Sequence, residues 1–527
     1  MKNSFFLIIP AQQDAPELLA LYEKDRVNQW ILELPTANPS LSTKLFYDFL
    51  EAFNKVVMPA QQRLDVLEML RPSFLVIEDF LRPRLLNAGF PKGENERKVF
   101  NVLVLIEKNF TTGYWMAIRE LTRRDVGWFQ GKNIALALQR TIKGLSEIIV
   151  THYMMFQVVP DWVWIDLHSL YKLSVKAKKE TTKVVDSTRL PSKVSTAEDC
   201  YKQVLLLSLT DPSGLMQKEV LQVYKFIANL CQFVKIENHP IDSQNKQCII
   251  LMDEDGAPFW KKEEGEEDSY MMYLDFSKLY KTLQTPENMV DSEEARFSSL
   301  HGGSKGSEKM SVSLFLYLQK SWKGEVFEGT NFFTDRLDRY IAIGLDATHS
   351  LQSNTRNKDI ASFELLAESF SDRELSCTFN NEGVLSIGSL ISFRKKNEPE
   401  TKRILSVVKK ITIPKNSKKI IFEVSEITPV SYAVSYTHLD NGAKGEEKHK
   451  ALLYGLKDSK GERSYIIVES FMLKNEDGLW LYMSGNDFPI ILGNRKNIGL
   501  GYWQFECRQI EEVQVEKIIK KKGYDFI

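Results

Sequence analysis

The chain has 527 residues, 43% of them hydrophobic and 26% charged, with a formal net charge of −1. That length predicts two to four domains with sizeable cores, and the neutral balance gives no bulk drive towards nucleic acid or a membrane surface. No stretch approaches the roughly 18 consecutive apolar residues of a spanning helix, and the apolar run at the N-terminus is too short for a secretion signal before Pro10 and Asp14 interrupt it. Cys200, Cys231, Cys248, Cys377 and Cys507 are scattered without a CxxC pair, the pattern of reduced thiols in a cytoplasmic protein.

Residues 1–233 read as an α-helical domain. Over 42–57, Leu45, Phe46, Phe49, Leu50 and Phe53 recur on one helical face. Pro59 suits the first turn of the next helix, which carries Leu64, Leu67 and Leu70, and Pro72 is expected to break it and restart the chain. Further helices are expected over 97–124 (one long or two short), 133–156, 161–177, 196–209 and 214–233, with 178–195 as a polar surface linker. The apolar stripes are core packing, and no self-similarity near 34 residues marks a repeat array. A bundle or irregular solenoid of about eight helices follows.

Residues 234–323 read as a small α/β connector, with strands at 248–252 and 272–275 and helices at 276–283 and 311–323. It includes a charged loop at 261–268 and a glycine-rich linker at 301–307, which lacks the spacing and preceding strand of a phosphate loop. From 324 the rhythm is β. Strands are expected at 341–344, 362–367, 374–379, 390–393, 403–413 and 419–424, making a barrel-sized domain over 324–440. A linker at 440–449 leads to a second small β-rich domain over 441–527, with strands at 452–455, 464–468, 479–483, 489–492 and 501–507 and a basic tail at 517–524. The fold class is therefore α+β: a helical N-terminal region followed by one or two small antiparallel β-barrels.

Enzyme signatures are absent: there is no G-x-S-x-G, no H-E-x-x-H, no G-x-G-x-x-G after a strand and no kinase set. The seven histidines form no metal spacing, so neither a metal nor a cofactor is expected. His349 reads as a hydrogen-bonded core histidine, and 494–497 as a polar hairpin tip that could alternatively offer an anion site. Arg336 and Arg339, just ahead of the first barrel, have a physical job available. Guanidinium groups fork onto phosphates and guanine edges and stack on aromatic faces, so the pair could fold over a cyclic dinucleotide. Their neighbours Asp335 and Asp338 could equally pair with them.

Two close arginines before a small barrel, followed by a serine-bearing turn, resemble the PilZ family, whose signature is R-x-x-x-R and then D/N-x-S-x-x-G. The chain as a whole resembles large bacterial proteins that join a helical N-terminal region to a C-terminal PilZ domain, through 32–39, 62–72, 201–212, 344–349 and 367–369. The resemblance implies a six-stranded antiparallel barrel and a cyclic di-GMP site built from Arg336, Arg339 and Ser369. The motif departs from the family at three points. The arginines are three apart rather than four, Ala367 replaces the Asp or Asn, and Asp372 replaces the Gly, adding a charge where phosphates are expected. The expected function is a non-enzymatic, cytoplasmic cyclic di-GMP effector that meets a protein partner through its helical region, with no nucleic-acid binding and no membrane insertion. The alternative is a scaffold whose barrel no longer binds nucleotide.

Overall fold

The computed structural model describes residues 5–86, 89–123, 131–186, 193–241, 246–261, 270–283, 294–296, 309–325, 329–353, 364–415, 417–439, 448–458, 461–470 and 472–510. The glycine-rich linker, the basic tail, residues 262–268 of the charged loop and residues 440–447 of the second linker lie outside them. Two compact units form, one from Met1–Asn87 with Glu94–Phe327, the other from Ala88–Gly93 with Glu328–Ile527.

The first unit opens with α1 (Pro16–Ala20), α2 (Lys24–Glu33), α3 (Pro39–Asn54), α4 (Ala60–Leu85), α5 (Glu94–Arg123), α6 (Gly131–Met154) and α7 (Val163–Lys176). Next come strands β1 (Val184–Asp186) and β2 (Lys193–Ser195), then helices α8 (Ala197–Ser208) and α9 (Gln217–Ile227). Local chemistry sets the starts of these helices. Asn38 accepts from the Leu41 amide ahead of α3, with Pro39 at its first turn, and Thr196 with Asp199 forms a reciprocal capping box on α8. α5 and α6 approach closely enough that a Cβ on Gly144 would overlap the Thr111 hydroxyl.

Two expectations fail here. Pro72 lies inside α4 instead of ending it. The helix keeps its course because Leu67, Leu70, Phe74 and Ile77 are buried on both sides of the proline. Each contributes about 1.5–3 kcal/mol, together more than the roughly 3 kcal/mol a mid-helix proline costs. The supposed linker at 178–195 contains the β1–β2 hairpin, whose Asp186 accepts from buried Arg71 at 2.8 Å. Three-residue strands are too short to show alternation in sequence.

The unit ends in a small sheet. Strands β3 (Lys235–Glu237), β4 (Gln247–Leu251), β5 (Phe259–Lys261) and β6 (Met271–Asp275) pair antiparallel in the order β3-β6-β4-β5. Helix α10 (Ser277–Thr282), the paired strands β7 (Glu294–Arg296) and β8 (Lys309–Ser311), and α11 (Val312–Trp322) complete it. The indole N–H of buried Trp322 donates to the Leu206 carbonyl at 3.0 Å, fixing α11 to α8.

In the second unit, β9 (Arg339–Ile343), α12 (Leu345–Gln352), β10 (Leu365–Ser369), β11 (Glu374–Cys377), β12 (Leu390–Lys395), β13 (Ile404–Thr412) and β14 (Ile420–Thr428) come first. The six strands close into an antiparallel barrel in the order β10-β11-β14-β13-β12-β9. Strands β15 (Tyr432–His438), β16 (His449–Asp458), β17 (Gly461–Val468), β18 (Gly478–Met483), β19 (Asn486–Gly499) and β20 (Tyr502–Gln509) close a second, in the order β15-β16-β17-β20-β19-β18. The α+β architecture with antiparallel barrels is thus observed. Strand β15 belongs to the second barrel, so the polar stretch at 440–447 falls within that barrel's span.

A shared core of Leu345, Leu390, Leu405, Leu452, Tyr454 and Tyr502 joins the barrels. Beside it the Leu500 amide donates to the Gly388 carbonyl at 2.9 Å, and Gly388 has φ +87°. A side chain at that position would be strained by its backbone and would press on the Leu500 nitrogen, so glycine is required for the seam. His349, half-buried on α12, donates from Nε2 to the Val434 carbonyl at 2.9 Å, the hydrogen-bonded role expected of it.

Glu364 anchors the first barrel electrostatically. It accepts from Arg394 at 2.8 and 2.6 Å and also pairs with Arg403, whose side chain is fully buried and whose Nε donates to Ser392 at 2.8 Å. Burial alone would raise the Glu364 carboxyl, but the hydrogen bonds from both arginines hold it below its ordinary range. Glu364→Ala leaves a buried guanidinium without its counter-charge, and urea unfolding should show a loss of about 3–5 kcal/mol in the transition of the second unit.

Candidate ligand site beside the first barrel

The segment ahead of β9 is held by one aromatic anchor. Phe333 is fully buried against Phe393, with ring centroids 5.4 Å apart, and its amide donates to the Asp372 carbonyl at 2.9 Å. From this anchor the chain turns: the Arg336 amide donates to the Phe333 carbonyl at 2.9 Å, and Arg336 itself takes a left-handed φ of +54°. That conformation costs a non-glycine residue about 1–2 kcal/mol. It throws the Arg336 side chain outward, where 55% of it is exposed, while Arg339 three residues later starts β9 and points inward with 2% exposed. The three-residue spacing therefore yields one outward and one inward arginine.

Both guanidinium groups already have partners. Arg339 Nη2 donates to both carboxylate oxygens of Asp335, at 2.8 and 2.9 Å, its Nη1 donates to the Leu337 carbonyl at 2.6 Å, and the guanidinium lies over the Phe333 ring at 5.5 Å. Lys395 adds a second cation to Asp335 at 3.0 Å. Partial burial works to raise the Asp335 carboxyl, but hydrogen bonds from Arg339 and Lys395 overcome it and bring it down to about 2. Arg336 binds the turn after β10: its Nε lies 3.0 Å from the Asp372 carboxylate, and Nη1 donates to the Phe370 carbonyl at 3.0 Å.

The fold thus brings together two segments some thirty residues apart. Ala367 lies opposite Arg339 in the β9–β10 register and is fully buried, and Asp372 meets Arg336. Ser369, the last residue of β10, directs its hydroxyl towards the Ser371 carbonyl at 3.5 Å. It lines a cavity of about 200 Å³ with Phe370 and Lys419, and neither arginine is among that cavity's lining residues. Sequence reasoning missed Phe370 and Lys395. Phe370 follows Ser369 directly and exposes 56% of its surface beside Arg336, whereas Lys395 is 56 positions from Arg339 and reaches Asp335 only through the β9–β12 pairing.

The chain is thus a helical region followed by two closed six-stranded antiparallel barrels of the PilZ-like kind, and two comparisons bear on it. Residues 25–241 match the family model described as "Cyclic-di-GMP receptor FimW, N-terminal domain". The chain is 22% identical over 334 residues to "Cyclic-di-GMP receptor FimW" of Pseudomonas aeruginosa, covering 63% of this chain and 53% of that protein. The chain thus spans about half the length of that curated relative. A solved structure titled "Structure of K. pneumonia MrkH in its apo state" aligns over 37% of this chain and 87% of its own at 9% identity, with a TM-score of 0.13 that carries no argument. Among the described residues no helix is long and apolar enough to cross a membrane.

Asp335→Asn removes the counter-charge from buried Arg339, and chemical denaturation should register about 1–3 kcal/mol. Because folding lowers the Asp335 carboxyl from 3.8 to about 2, its contribution is complete above the ordinary value and fades as pH falls between these limits. The stability gap between wild type and Asp335→Asn should narrow over that interval and stay constant from pH 5 to 7.

Proposed function

We propose that the first barrel receives cyclic di-GMP, and that the protein is a non-enzymatic effector whose helical region meets a protein partner. The observation that carries this reading is the outward Arg336, held by a left-handed turn against the 370–372 segment where a PilZ-like barrel would take its ligand. Its carboxylate partner occupies the guanidinium as a phosphate oxygen would. Phe370 offers an exposed aromatic face beside it for a guanine ring. Ser369 supplies a hydroxyl at the end of β10. Arg339 would reach the ligand only by leaving Asp335, and while that pair is closed it fixes the path from Phe333 to β9.

This places Asp372 in competition with the ligand. An anionic dinucleotide must displace the carboxylate from Arg336 and then bear its charge nearby, which lowers affinity. The same pair supports a second reading, in which Asp372 permanently satisfies Arg336 and the barrel is an interaction module without nucleotide.

Isothermal titration of the full chain with cyclic di-GMP separates the two. Asp372→Asn should tighten binding by about tenfold, near 1.4 kcal/mol, while Arg336→Ala should weaken it by at least as much. Absence of heat in both wild type and Asp372→Asn, at protein concentrations of tens of micromolar, would establish the scaffold reading.

A further inference from the structure

The helical region encloses a second site with chemistry unlike the first. A cavity of about 510 Å³ opens among α4, α5, α6 and α9, within the 300–1,000 Å³ typical of small-molecule sites. Its charged end is crowded. A single nitrogen of Arg82, Nη2, lies 3.0 Å from Glu78, 3.1 Å from Glu107 and 2.6 Å from Glu147. Lys143 pairs with Glu147 at 2.8 Å. Of the other cations in the lining, Arg140 pairs with Glu68 at 2.9 Å and Arg71 with Asp186 at 2.8 Å, while Lys225 on α9 is exposed.

Within the cluster of Glu78, Glu107, Glu147, Arg82 and Lys143, charge matching comes out one cation short. Lys143 answers Glu147 and Arg82 answers one of Glu78 and Glu107, which leaves a carboxylate over. The deficit has a structural mark. Glu107 is 1% exposed, its Oε1 is shared by Arg82 and the Thr151 hydroxyl, and its Oε2 has no hydrogen-bond partner. Buried carboxylates with too little positive charge keep protons instead. Burial, partly offset by Arg82 and reinforced by the neighbouring carboxylates, pushes Glu78 up to about 7 and Glu107 up to about 8. The lining also includes the aromatic rings of Phe74 and Phe110, stacked on each other at 4.3 Å, of Tyr114, and of Tyr224, over which Lys143 lies at 4.4 Å.

We infer that this cavity binds a small organic monocation, a primary ammonium or guanidinium compound, with its charged nitrogen against Glu107 and Glu78 and its apolar part along the aromatic wall. The ligand supplies the missing positive charge and takes the place of the proton. A metal ion is a poorer occupant, because Arg82 already sits where the three carboxylates converge. The rings in the lining suit the apolar part of an organic cation. Nothing in this inference depends on the barrel site, since the two lie in different units.

Two probes test it on the full chain: n-butylammonium and phenethylammonium, with butyrate as the anionic control. Titration at pH 7.5 should give saturable binding for at least one amine, with a dissociation constant below about 1 mM and none for butyrate. Proton displacement makes the heat depend on the ionisation enthalpy of the buffer, a readout that purely structural carboxylates would not produce. Glu107→Gln retains an acceptor for Arg82 and Thr151, and it should weaken amine binding by about tenfold or more and reduce the buffer dependence. Glu78→Gln provides the same reading if Glu107→Gln melts early. No saturable heat with either amine, equal binding of butyrate, or heats that are identical in all buffers would overturn the assignment.

Discussion

The first barrel closes through β9, and β9 is fixed by the ion pair of Arg339 with Asp335. The strand is bonded on both sides, to β10 through Ala367 and to β12 through Lys395, so a guanidinium at its first residue lies between two neighbours. Such a group is tolerable only with its charge answered at short range. Asp335 does so from four residues upstream, and this forces the intervening chain into a compact turn. The left-handed Arg336 and its outward side chain follow from that closure. One arginine thus serves the fold, and in doing so presents the other.

Asp372 gives the same arrangement its second character. A glycine there would leave Arg336 without a carboxylate from this turn, whereas aspartate supplies one at 3.0 Å from a half-exposed position. Exposed pairs of this kind contribute little to stability, usually under about 1 kcal/mol. Their weight lies in deciding which anions can approach. On the reading proposed above, the departure of this turn from the PilZ pattern lowers the affinity for the nucleotide while leaving the barrel intact.

Much of this was legible in the sequence. Each of the six expected strands of the first barrel overlaps an observed one, because alternating apolar residues such as Leu405, Val407 and Ile411 leave a period-two trace. Helix α12 was not legible: 345–352 is short, and the apolar partners of its Leu345 lie from 45 positions (Leu390) to more than a hundred positions (Leu452, Tyr502) further along the chain. The continuity of α4 through Pro72 depends on tertiary burial that local propensity does not encode. The buried acids of the helical region were equally hidden. Glu78, Glu107 and Glu147 read as ordinary polar positions along their helices, and only packing reveals that they converge on Arg82.

The central claim is that Arg336 is the ligand-facing arginine and that a nucleotide must take it from Asp372. The most direct measurement is the NMR signal of the Arg336 side-chain Nε–H during addition of cyclic di-GMP to the full chain. The account predicts a shift of that resonance with saturation, accompanied by movement of the Asp372 carboxylate signal as its pair opens. An unmoved Arg336 resonance, in a sample where the nucleotide binds, would contradict it.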